Sequence, residues 1–304
     1  MSKIEFKDRV AIVTGAGVGL GRSHALELAR RGVKVVVNDL GGAVDGTGGS
    51  QTVAQSVVAE IEAAGGEAMA NGANVTKPDE VEAMVSEAMA RWGHVDILIN
   101  NAGILRDKSF SKMTIEDFKT VVDVHLFGSM VCTKAVWDHM REREYGRIVM
   151  TSSSSGLYGN FGQSNYGAAK AGLMGFMNTL AIEGEKKNIH VNTLSPTAAT
   201  RMTEGLLPPN ALELMTVESV TAGLVFLAND NAPTKTILCA GAGGYSVTKL
   251  NETQGIYLPI GEQTADNVAA NFDKLSHREN QVEMLNGAQQ TIRFVTMASE
   301  ANKS

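Results

Sequence analysis

The chain has 304 residues, 43% of them hydrophobic and 20% charged, a makeup that suits a soluble globular protein with room for one large α/β domain. A formal net charge of −6 with no basic run argues against a nucleic-acid groove, and no window approaches the roughly 18 apolar residues of a membrane span, so neither partner is expected. The two cysteines, Cys132 and Cys239, sit among apolar or small neighbours and read as reduced residues, with no disulfide and no metal site expected.

In chain order, short apolar runs alternate with longer helical patterns. Strands are predicted at 10–14, 33–39, 67–72, 95–100, 146–152, 189–195 and 234–241. Helices are predicted at about 20–31, 51–64, 78–91, 114–141, 166–184 and 217–228. Several strands, such as "VAIVT", are apolar throughout, as strands covered by helices on both faces should be. The alternation predicts a doubly wound α/β fold of Rossmann type, with seven parallel strands and helices on both faces. No repeat or low-complexity linker divides it, so 1–304 is expected to be a single domain. Within it, 251–304 forms an extension, amphipathic near 264–300, that covers the substrate site or an interface. The segment "GGAVDGTGGS" (41–50) is a glycine-rich loop longer than the usual connection.

The first strand runs into "TGAGVGLGR" (14–22) and then a helix. Gly15 permits a tight turn, while Gly19 and Gly21 let backbone approach a pyrophosphate at the helix N-terminus, where free N–H groups and the dipole favour an anion. A flexible turn is the bland alternative. Strand two ends in Asp39, whose carboxylate can accept hydrogen bonds from both adenosine ribose hydroxyls and repels a 2′-phosphate. Leu40, Gly41 and Gly42 offer no cation to offset that repulsion, and Arg22 lies past the glycines on the helix, so the expected cofactor is NAD rather than NADP. Asp39 also fits a plain strand-end turn. Strand four delivers "NNAG" (100–103), suited to a strand end that must leave room for a planar ligand, although an Asx-type turn has the same look.

In "SSSSGLYGNFGQSNYGAAK" (152–170), Tyr166 and Lys170 are one helical turn apart and share a face. Alone, the pair fits an ordinary helix start with a solvated lysine. A free phenol has a pKa of about 10. A neighbouring ammonium lowers it toward a usable general acid or base.

Taken together, T-G-x-x-x-G-x-G, N-N-A-G and Y-x-x-x-K, in that order over about 1–245, resemble the short-chain dehydrogenase/reductase family. The resemblance implies a Ser-Tyr-Lys mechanism. Ser153 holds the oxygen that gains charge, Tyr166 transfers the proton, and Lys170 also holds the nicotinamide ribose. Ser155 is the second choice for the serine, with Ser152 and Ser154 placed on the other face by strand alternation. It further implies a cofactor site at Gly15, Gly19, Leu20, Asp39, Asn74, Val75, Asn101, Ala102, Gly103, Tyr166, Lys170, Pro196 and Thr200, and a homodimer or homotetramer. Two positions depart from the family. His125 in "VHLFG" replaces the usual Asn, either as a core residue or as a donor to a backbone carbonyl or relay water. "SPTAATRM" has Pro-Thr in place of Pro-Gly, which leaves Thr200 as the candidate for the carboxamide.

A narrower resemblance lies in "NNAGILRDKSF", "VHLFGS", "SGLYGNFGQSNYGAAK" and "CAGAGGYSVTKL". These are similar to the (3R)-hydroxyacyl-CoA dehydrogenase domain of the peroxisomal multifunctional β-oxidation enzymes of type 2, also known as a 17β-hydroxysteroid dehydrogenase. The resemblance implies an acyl-CoA or steroid substrate and here a free-standing dehydrogenase. "MSKIEFKDR" carries no signal segment and the terminal Asn302-Lys303-Ser304 is no peroxisomal address, so the cytoplasm is the expected compartment.

Overall fold

The computed structural model describes residues 3–50, 52–199 and 209–301. The chain divides into two compact units, Met1–Val247 and Thr248–Ser304.

In the first unit the strand β1 (Arg9–Thr14) shows why the sheet lies between two helical layers. Val10 and Ile12 enter one core with α3 (Pro78–Trp92), α5 (Gly128–Arg143) and α7 (Ser164–Gly184). Ala11 and Val13 enter the other, with α1 (Gly19–Arg30), α2 (Thr52–Ala63) and α9 (Val217–Ala228). A strand apolar at successive positions is stable only where both faces are covered, and full burial of each Val or Ile side chain contributes about 1.5–3 kcal/mol. Helix limits follow local chemistry: α3 starts with Pro78 in its first turn and stops at Gly93, whose φ of 83° few other residues adopt.

The remaining strands are β2 (Val33–Asn38), β3 (Ala68–Asn71), β4 (Ile97–Asn100), β5 (Gly146–Thr151), β6 (Ile189–Thr197), β7 (Ile237–Gly241) and β8 (Gly244–Thr248). Their order is β3-β2-β1-β4-β5-β6-β7-β8, with β1 to β7 all parallel. The order reverses between β1 and β4, where a doubly wound sheet opens its crevice at the carboxyl ends of the strands. All seven predicted strands form, and an eighth is added. Ala242 (φ 48°) and Gly243 (φ 77°) make a two-residue turn of the hairpin kind, returning β8 beside β7. Its residues are mostly exposed, so no apolar run announces it.

The helix predicted at 114–141 is interrupted. α4 (Ile115–Val122) and α5 are joined by one π-helical stretch, Asp123–Phe127, which carries His125. Short helices α6 (Ser154–Tyr158) and α8 (Pro209–Leu214) complete the unit. In the second unit β9 (Asn251–Glu252) pairs antiparallel with β10 (Val282–Glu283). That pairing splits the expected 264–300 pattern into α10 (Ala265–Ala270), α11 (Phe272–Leu275) and α12 (Gly287–Ala301). Among the described residues no helix is long and apolar enough to cross a membrane.

Candidate active site

A cavity of about 420 Å³ opens at the carboxyl ends of β1, β2 and β4, where the strand order reverses. Its first wall is the glycine turn. Gly15 (φ 62°) and Gly19 (φ 54°) are left-handed, and a Cβ on Gly21 would lie 2.0 Å from the Gly15 carbonyl oxygen. Val18 at the N-cap of α1 offers no side-chain acceptor, and no acidic residue stands in the first turn. The N–H groups of Gly19, Leu20 and Gly21 therefore reach the cavity uncapped, at the positive end of the helix dipole. Such a cradle fits the pyrophosphate of a dinucleotide.

Asp39 follows β2 and lines the same cavity. Its Oδ2 accepts the Gly17 N–H at 2.8 Å and its Oδ1 accepts the Gly41 N–H at 2.7 Å, leaving each oxygen a lone pair for a ligand hydroxyl. Gly17 is not singled out by the sequence, although a Cβ there would sit 2.8 Å from that carboxylate; its signal is a fourth glycine in the turn. Arg22, past the glycines, pairs with Glu60 on α2.

Thr14, also missed, ties the glycine turn to the "NNAG" corner. Its hydroxyl accepts the N–H groups of Asn101 and Ala102, both at 3.0 Å. Asn101 Nδ2 returns two bonds of 3.0 Å, to the carbonyls of Thr14 and Gly15. The cavity lining includes Asn101, Ala102 and Gly103, together with Asn74 and Val75 after β3 and Pro196 on β6. Thr200 lies outside the described residues.

Tyr166, Lys170 and His125 line the far part of the same cavity. Ser153 is not in the lining. Strand β5 ends at Thr151 and Ser153 becomes the N-cap of α6, accepting the Ser155 N–H at 3.2 Å. The alternation used to set aside Ser152 and Ser154 therefore stops before it reaches them. Ser152 instead donates to the Lys170 carbonyl at 2.9 Å.

Lys170 is 3% exposed, its Nζ donating to the Thr151 carbonyl and lying 5.4 Å from the Tyr166 ring centroid. Burial with no carboxylate partner pushes its ammonium down to about 7. Burial raises the Tyr166 pKa, the hydrogen-bonding Ser153 hydroxyl opposes that, and the Asp107 charge adds to it.

His125 meets Tyr166 edge-on, with ring centroids 5.1 Å apart at 87°. Its Nε2 faces the Ile104 carbonyl at 2.8 Å and the Ile104 N–H at 3.1 Å. Burial, reinforced by the Lys170 charge, holds the imidazole well below its usual pKa. Its buried Nδ1 has no hydrogen-bond partner among the described residues. Gly103 makes room for the ring, since a Cβ there would meet His125 Cε1 at 2.2 Å.

A model of the short chain dehydrogenase family matches residues 9–209. The chain belongs to this family. It is 48% identical over 289 residues to peroxisomal multifunctional enzyme A of Dictyostelium discoideum, covering 93% of this chain and 65% of that protein. The solved full-length peroxisomal multifunctional enzyme type 2 of Drosophila melanogaster superposes with a TM-score of 0.82 at 33% identity, over 98% of this chain and 50% of that one. The chain thus spans about half to two thirds of these relatives. A 7α-hydroxysteroid dehydrogenase solved with NADH and 7-oxo glycochenodeoxycholic acid matches with a TM-score of 0.71 at 27% identity, over 79% of this chain and 95% of that one. As a member of the short-chain dehydrogenase family, the protein is an oxidoreductase.

Proposed function

We propose that the protein oxidises a (3R)-3-hydroxyacyl-CoA to the 3-oxoacyl-CoA with NAD. The observation that carries this reading is a single cavity lined by the uncapped N-terminus of α1 and Asp39 together with Tyr166, Lys170 and His125. Bound NAD supplies the hydride acceptor. The substrate hydroxyl loses its proton to Tyr166 as its carbon loses the hydride, and the Ser153 hydroxyl, hydrogen-bonded to the phenol though outside the cavity lining, is the candidate to hold the substrate oxygen. Lys170 lends positive charge to the phenolate when protonated. The uncompensated Asp39 carboxylate supports NAD over NADP, since a 2′-phosphate meets like charge there.

The acyl-CoA class rests on the resemblance to the type 2 multifunctional enzymes, reinforced by the relatives from Dictyostelium and Drosophila. A 17β-hydroxysteroid dehydrogenase is the second reading, favoured by the steroid-bound structural relative. The family's custom supports a homodimer or homotetramer. The relatives' names are peroxisomal, which leaves the expected cytoplasmic placement without support from them. Incubation with NAD and racemic 3-hydroxyacyl-CoA tests the proposal. Mass spectrometry should find a thioester two hydrogens lighter, with the 3S isomer left behind; consumption of the 3S isomer overturns the assignment.

A further inference from the structure

Gln163 stands at the N-cap of α7, yet its side chain does not cap the helix. Its Oε1 accepts from the Ser155 hydroxyl at 2.7 Å and from Asn160 Nδ2 at 3.2 Å, while its Nε2 donates to Asp107 Oδ2 at 2.6 Å. Two further bonds join the same segments. The Lys108 N–H donates to the Gly162 carbonyl at 2.9 Å, and Asn165 Nδ2, fully buried, donates to the Arg106 carbonyl at 3.1 Å. The stretch 106–108, which leads from the "NNAG" corner toward α4, is thereby bound to the loop that carries Ser153 and to the helix that carries Tyr166.

A carboxylate only accepts, so Asp107 fixes which way the Gln163 amide points and forces Ser155 to be a donor. Ser155 in turn gives its N–H to Ser153 Oγ. The flanking cations do not neutralise Asp107: Lys108 and Arg106 are engaged with Asp117 at 2.9 and 3.6 Å. Among the described residues Asp107 has no ion-pair partner. Asp107 is itself exposed, so the Gln163 amide is its anchor on the α7 side.

We propose that Asp107 and Gln163 are positioning residues, a polar latch that holds the Ser153 loop against the Tyr166 helix. This rests on Tyr166 being the proton-transferring group. Asp107→Asn keeps an acceptor for Gln163 and removes the charge. Gln163→Glu loses the donor and sets two carboxylates together. The double variant, Asp107→Asn with Gln163→Glu, restores the bond with its direction reversed, the amide now donating from the 106–108 stretch to a carboxylate at the start of α7.

Amide hydrogen exchange is read first, with no substrate present: in Gln163→Glu the 153–163 segment should exchange about tenfold faster, and the double variant should restore its protection. Gln163→Glu should also lower kcat about tenfold or more with a smaller change in KM, and the double variant should recover to within about threefold of wild type. Unchanged exchange in Gln163→Glu, or a double variant no better than Gln163→Glu, overturns the latch. Because exchange needs no turnover, a failed latch is distinguishable from a failed assignment of the reaction.

Discussion

Replacing Lys170 by Met should make the protein more stable and inactive. The lysine is 3% exposed, its nitrogen meets only the Thr151 carbonyl among the hydrogen bonds described, and burial takes its pKa from 10.5 to about 7. At about 1.36 kcal/mol per unit, the folded state disfavours the ammonium by about 5 kcal/mol relative to the unfolded chain. Between pH 7 and 10.5 the unfolded chain binds more protons, so this residue makes stability rise with pH across that window. Below pH 7 its whole cost is present, and above 10.5 it is gone. Methionine has a similar volume and no charge, but it leaves the Thr151 carbonyl without its donor, a loss of about 1–3 kcal/mol. The variant should therefore gain about 2–4 kcal/mol at about pH 7, shrinking to nothing or below as the lysine's unfolded-state pKa is passed. Urea unfolding of both proteins without dinucleotide, over this range, gives the difference directly. A gain independent of pH, or none near neutrality, would refute the reasoning, and a stable but inactive variant would place the lysine's cost in the service of turnover.

Substitutions at three other positions probe the site. Tyr166→Phe should cut turnover about 10²–10⁴-fold while calorimetric titration finds NAD affinity nearly unchanged. Asp39→Ala should weaken NAD binding by about ten- to a hundredfold and narrow the gap to NADP, because it removes charge-assisted bonds worth about 1.5–3 kcal/mol together with the repulsion; unchanged selectivity places the ribose elsewhere. His125→Asn should keep much of the activity, whereas His125→Ala should lose it with an intact circular dichroism spectrum, since the Ile104 backbone pair loses its partner. Equal rates for all three proteins would return His125 to a packing role.

The parts legible in the sequence were those governed by burial on both faces or by motif spacing. "VAIVT" could only be a covered strand, and the glycine turn, Asp39, "NNAG" and the Tyr-Lys pair line one cavity because the strand order brings β1, β2 and β4 side by side. What escaped depends on single atoms or on contacts distant in sequence. The π-stretch at 123–127 leaves helical periodicity almost untouched, though Ser129 donating to the His125 carbonyl and Gly128 admitting Val75 help shape it. Ser153 is named by resemblance, since the strand ends at Thr151 and its alternation does not reach the serines. The sequence names the cation beside Tyr166 but not the burial that raises the phenol's pKa. Thr14 and Gln163 showed only as ordinary polar residues until their partners, 87 and 56 positions away, were visible.

The most direct test of the assigned reaction is a steady-state comparison by the absorbance of reduced nicotinamide. The same enzyme preparation is offered a (3R)-3-hydroxyacyl-CoA and a 17β-hydroxysteroid, each with NAD and with NADP. We expect kcat/KM to be highest for the acyl-CoA with NAD, and the signal to disappear in Tyr166→Phe. A higher kcat/KM for the steroid, or for NADP with either substrate, would contradict the assignment.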